Sequence, residues 1–153
     1  MNADEINRRY AAGERDFSFV NLRSMNLSEV NLCGAILSKA DLTGANLTGA
    51  NLRQAKLSEA DLTGATIWRA DLSGANLYKA NLSRSILIRA NLSEVDLCEA
   101  FLIQADLRLA KLNNAILTGA NLTGADLRYA EINSWELSGA DLSQASLIRA
   151  DLN

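Results

Sequence analysis

The feature that most confines this chain is a period of five. Residues 40–52 read ADLTGANLTGANL, one unit stated twice and begun a third time. Stepping by five from Phe17 reaches Leu22, Leu27 and so on to Leu152, a set of 28 positions of which 25 are Leu and the others Phe17, Ile67 and Ile132. The parallel series from Val20 to Ala150 has 27 positions, of which 21 are Ala; Val20, Met25, Val30, Ser85, Val95 and Trp135 depart from it. Asn or Asp usually separates the Ala from the Leu. Ser, Thr or Arg commonly follows the Leu, and the next position holds eight of the nine glycines. The consensus is Ala-(Asn/Asp)-Leu-(Ser/Thr)-Gly.

Neither regular secondary structure accommodates this step. On a helix, five residues advance about 500°, so successive Leu side chains would rotate around the axis. On a strand, an odd step sends them to alternate faces. What remains is a coil of short extended pieces joined by turns and stacked on itself at roughly 4.8 Å. Each Leu then points to a common axis, each Ala fills the smaller space beside it, and three polar positions face water. Glycine at the fifth position suits a turn that needs positive φ. Asn or Asp before the Leu can hydrogen-bond nearby backbone or its counterpart in the next coil. Proline would remove a donor from the inter-coil ladder, and the chain contains none.

The motif resembles A(D/N)LXX of the pentapeptide-repeat family, matched from Asp16 to the C-terminus, about nine-tenths of the chain. The resemblance implies an all-β fold, a right-handed quadrilateral β-helix with four repeats per coil. On that basis 28 repeats make about seven coils and a rod of roughly 30 to 35 Å. A recurrence at every fourth repeat agrees with four sides: Lys39, Glu59, Lys79 and Glu99 would alternate in charge down one edge. Exposed pairs of this kind contribute only a fraction of a kcal/mol each and favour register more than stability.

The segment 1–15 breaks the pattern and is expected to be an N-terminal helical cap on a β-helix spanning 16–153, the whole forming one domain. Asp4 and Glu5 suit a helix start, Ile6 and Tyr10 share a face at i and i+4, Arg8 and Arg9 suit the helix end, and Gly13 is a stop signal. The stretch EINRRYAAGERDFSFVNL also resembles the caps of cyanobacterial members of the family. At the other end Leu152 and Asn153 stop within the repeat, so a frayed last coil or one covered by a second copy, a homodimer, is expected.

Chemistry is sparse. There is no histidine to act as base or ligand, no serine partnered by one, and no phosphate-cradling loop, so neither an enzyme nor a cofactor or metal site is expected. Most carboxylates occupy the structural slot before Leu. Cys33 and Cys98 both follow a Leu and face outward on different faces, and they read as reduced thiols of a cytoplasmic protein. The N-terminus has no apolar run that would act as a signal or membrane span.

Sorted by this four-repeat period, the outward residues place Trp68, Ile88, Arg108, Arg128 and Ile148 in one column and Arg69, Arg89, Leu109, Tyr129 and Arg149 beside it. Five Arg against Glu29, Asp106 and Asp126 give this face +2, whereas the other three come to -1, -2 and -2. Arg, Trp and Tyr are the types that carry binding hot spots. The candidate partner-binding face is therefore Trp68, Arg69, Ile88, Arg89, Arg108, Arg128, Tyr129 and Arg149. Trp135, a large indole in an Ala slot, reads as a local bulge, an end plug or an interface anchor. The expected function is a non-catalytic scaffold for an unidentified protein partner. The family resemblance adds DNA mimicry directed at a type II topoisomerase, which the small net charge of -3 and the basic face oppose. Direct nucleic-acid binding through the Arg face is the third alternative, opposed by a pI near 5.0.

Overall fold

Five backbone N–H groups per repeat need acceptors, and the fold follows from where they find them. In the computed structural model, which describes residues 1–133 and 137–152, the unit Leu42–Asn46 shows the scheme. Leu42 N–H donates to Asp61 C=O at 2.7 Å and Gly44 N–H to Thr63 C=O at 2.9 Å, both in the next coil. Asn46 N–H donates to Met25 C=O in the previous coil at 2.9 Å. Ala45 N–H closes a turn on Leu42 C=O at 2.9 Å. That leaves Thr43, whose N–H is taken by the Asp41 side chain at 3.0 Å. The preference for Asn or Asp before the Leu is thereby explained: its oxygen caps the one amide that the coil geometry leaves out.

The coils stack in parallel with the same offset throughout, each bridge joining a residue to its counterpart four repeats on, as in Asp41↔Asp61 and Asp61↔Asn81. One coil is therefore four repeats. Each side contributes a bridge of a single residue, not a strand, because the turn consumes most of the repeat. Each described turn bears its one positive φ at the third position, the type II pattern. Glycine fills it at Gly44 (φ 64°), but most turns place a residue with a side chain there, including Leu109 at 60° and Tyr129 at 62°. A side chain there costs on the order of 1–2 kcal/mol, so the stacked core holds many turns in a conformation they would not choose alone.

That core is the Leu stack with the Ala series beside it. Leu22 through Leu127 are at most 1% exposed. Ser85, in an Ala slot, is equally buried and donates its hydroxyl to Leu82 C=O at 2.7 Å. Among the described residues no buried side-chain polar atom lacks a partner. From Leu137 onward the inward residues Leu137, Leu142 and Leu147 are only partly buried. Trp135 lies outside the described residues.

Helix α1, Ala3–Ala11, lies over the first coil. Asn2 caps it by accepting Glu5 N–H at 2.8 Å. Asp4 and Glu5 stand in its first turn and Arg8 and Arg9 in its last, matching the helix dipole. Ile6 is fully buried and extends the Leu stack downward. Tyr10 Oη donates to Cys33 C=O at 2.8 Å, satisfying an acceptor that faces away from the following coil. Gly13, at φ 98°, turns the chain out of the helix.

Candidate protein-binding face

The inter-coil ladder decides which outward residues are neighbours. Arg69 N–H donates to Ile88 C=O (3.1 Å), Arg89 to Arg108 (3.0 Å), Leu109 to Arg128 (3.1 Å) and Tyr129 to Ile148 (3.3 Å). All eight residues selected from the sequence therefore stand on one face in two adjacent columns. Exposed large apolar residues gather there as well: Trp68, Ile86, Leu109, Tyr129 and Ile148 are all 39% exposed or more. Ile86 is not among the eight, because it sits in the slot before Leu, where a polar residue is usual. Departure from the motif at that slot is the signal that could have found it.

The charges on this face are not equivalent. Arg108 grips Asp106 in a fork, with 2.8 and 2.7 Å contacts, and reaches Asp126 at 3.8 Å. Arg128 grips Asp126 in the same way, at 2.9 and 2.6 Å. The Asp106 carboxylate hydrogen-bonded to Arg108 holds that guanidinium's pKa above its ordinary value, and the Arg128 fork holds Asp126 below the usual carboxylate range. These four residues neutralise one another. Arg69 instead lies over the Trp68 ring, 5.3 Å from its centroid. Arg149 reaches Tyr129 Oη at 3.2 Å and sits 5.8 Å from that ring. Among the described residues Arg69, Arg89 and Arg149 have no carboxylate within ion-pair distance, so the positive charge of the face resides in these three.

The other faces are net negative. Lys39 pairs with Glu59 at 3.5 Å and Lys79 with Glu99 at 3.3 Å. The alternating edge expected from sequence thus consists of two pairs, with no ion pair between Glu59 and Lys79. Most motif carboxylates serve turns. Asp41, Asp61 and Asp141 each accept a backbone N–H and a hydroxyl from the residue two positions on. The Thr43 hydroxyl accordingly holds the Asp41 carboxyl low. Cys33 and Cys98 are both free and half-buried, and desolvation raises the Cys98 thiol. Among the described residues no cluster of His, Cys, Asp and Glu could hold a metal, and no helix is long and apolar enough to cross a membrane.

Comparison with known proteins agrees with this architecture. The family model for pentapeptide repeats matches residues 16–54, 55–93, 90–128 and 136–153. No curated protein sequence matches the chain. Among solved structures, HetL, a pentapeptide repeat protein involved in heterocyst differentiation regulation from the cyanobacterium Nostoc sp. strain PCC 7120, is 32% identical with a TM-score of 0.53, over 100% of this chain and 94% of its own. Rfr23 from the cyanobacterium Cyanothece 51142 is 31% identical over 98% of this chain and 95% of its own, with a TM-score of 0.47. A trypsin-treated form of QnrB1, a plasmid-mediated fluoroquinolone resistance protein, superposes with a TM-score of 0.75 over 90% of this chain and 72% of its own, but at 20% identity shares the fold alone. The repeat register, the family model over most of the chain and the 32% identity to HetL together place the chain in the pentapeptide-repeat family.

Proposed function

We propose that the protein is a non-catalytic scaffold, a right-handed rod of about seven coils capped by residues 1–15, which binds a protein partner in the cytoplasm through the Trp68 face. The observation that carries the reading is the coincidence, on one face, of exposed Trp68, Ile86, Leu109 and Tyr129 with the uncompensated Arg69, Arg89 and Arg149. Aromatic and Arg anchors set in an apolar patch are what a protein interface concentrates. A rigid ladder presents them with little ordering cost on binding. DNA mimicry at a topoisomerase would call for a broadly anionic surface, and this face has the opposite sign.

The test is affinity capture from a lysate with the native chain and with a Trp68→Ser, Arg69→Ser, Arg89→Ser, Tyr129→Ser variant whose fold is verified by circular dichroism. A partner held by the native chain and lost by the folded variant supports the reading. Equal recovery by both removes the Trp68 face from consideration.

A further inference from the structure

The Trp68 face also departs from the hydrogen-bonding scheme of the repeat. Where Asn or Asp precedes the Leu, its side chain caps the amide two residues on. Thr66 and Ile86 stand in that slot, and among the described residues the N–H groups of Trp68 and Ile88 have no acceptor. These two amides lie one coil apart, beside Arg69 and Arg89. The next two coils of the same face show what completes such a position. Asp106 accepts Arg108 N–H at 3.3 Å along with its guanidinium, and Asp126 accepts Arg128 N–H at 3.1 Å in the same manner. Successive open slots also occur at Ile36 and Lys56, which leave the Ser38 and Ser58 amides uncapped, but there Lys39 is already paired with Glu59.

We infer that the Trp68 and Ile88 amides, with Arg69 and Arg89, form a docking site for two carboxylates of an acidic helix in a partner protein, which continue downward the column begun by Asp126 and Asp106. The inference rests on the partner-binding reading of this face. Coil spacing is roughly 4.8 Å. Glu residues three apart on a helix are separated by about 4.5 Å along its axis, so a helix lying along the rod presents one carboxylate to each coil. Each carboxylate would receive one amide and one guanidinium, a charge-assisted set. The Trp68 ring and the exposed Ile86 side chain supply apolar contact for the helix body.

The probe is a synthetic amphipathic helix of about four turns with Glu pairs at i and i+3 and a flanking Leu stripe, titrated into the 15N-labelled full chain. A peptide with every Glu replaced by Gln is the control. The expected result is binding of the Glu peptide with downfield shifts of the Trp68 and Ile88 amide protons, and binding at least about tenfold weaker for the Gln peptide. Thr66→Asn/Ile86→Asn restores the motif and caps both amides from within, so it folds at least as well as the native chain. It should lose about tenfold in affinity for the Glu peptide, as should Arg69→Ser/Arg89→Ser. Equal binding of both peptides, undiminished binding by the Asn variant, or no shift at the two amides overturns the inference. A lysate partner that survives Thr66→Asn/Ile86→Asn but is lost by the four-site Ser variant would leave the face reading intact while removing the carboxylate site.

Discussion

Leu72 offers the most direct measure of what holds the rod together. It is fully buried in the middle of the stack, with Leu52 and Leu92 at equivalent positions one coil away on either side. Leu72→Ala removes three carbons, worth about 2.4 kcal/mol at ~0.8 kcal/mol each. A cavity term adds to this. The Leu72 N–H donates to Asn91 C=O at 2.8 Å and its C=O accepts Ala75 N–H at 2.9 Å. Backbone pinned in this way cannot move in to fill the space, so a residual cavity of roughly 60 Å³ would cost about 1.4 kcal/mol more. The expected loss is about 4 kcal/mol, in the upper half of what such truncations cost. Leu147, half-buried, should lose less than half of that on the same substitution. Urea unfolding followed by far-ultraviolet circular dichroism reads both, and an unchanged m value is required because repeat arrays can unfold in parts. A loss below about 1.5 kcal/mol at Leu72, or equal losses at the two positions, would refute the pinned-backbone account.

Two further outcomes follow from the turns. Gly64→Ala adds a Cβ in open space at φ 65°, so it should cost about 1 kcal/mol of strain alone; Gly49→Ala, at φ 64°, also overlaps the Glu29 carboxylate and should cost more, the excess vanishing in a Glu29→Ala background when all four chains are compared by urea unfolding. Asp16, Asp41, Asp126 and Asp141 are held below their ordinary pKa by hydroxyl or guanidinium donors, so the stability they contribute is complete above the unfolded value of about 3.9 and is lost as pH falls through their folded values. With no histidine in the chain, the melting temperature should be flat from about pH 5 to 8 and drop below about pH 4, whereas a drop centred near pH 6 would show that other groups control stability.

Much of the architecture was legible in the residues because every repeat poses the same local problem. A step of five that fits neither helix nor strand leaves the turned coil, and 25 Leu in register identify its interior. Four sides came from the resemblance to the family, with the recurrence of Lys39, Glu59, Lys79 and Glu99 in agreement, and the columns of the Trp68 face followed from that geometry. Side-chain pairing was not legible. The sequence does place Asp106 and Asp126 two residues before Arg108 and Arg128, and Thr66 and Ile86 three residues before Arg69 and Arg89, but a two-residue offset does not by itself bring the side chains together. The two-residue offset of the fork depends on the turn conformation, which carries the Arg side chain back over the preceding carboxylate.

The amino-acid sequence by itself determined the coil: the apolar period sets what is buried, the Asn or Asp slot supplies the cap that the fifth amide needs, and both act within a few residues of chain. Tertiary structure decided how surface charges pair between coils. Those contacts join atoms four repeats apart along the chain: Lys39 reaches Glu59 and Lys79 reaches Glu99, whereas Glu59 and Lys79 form no ion pair. Arg108 likewise reaches Asp126 in the next coil at 3.8 Å.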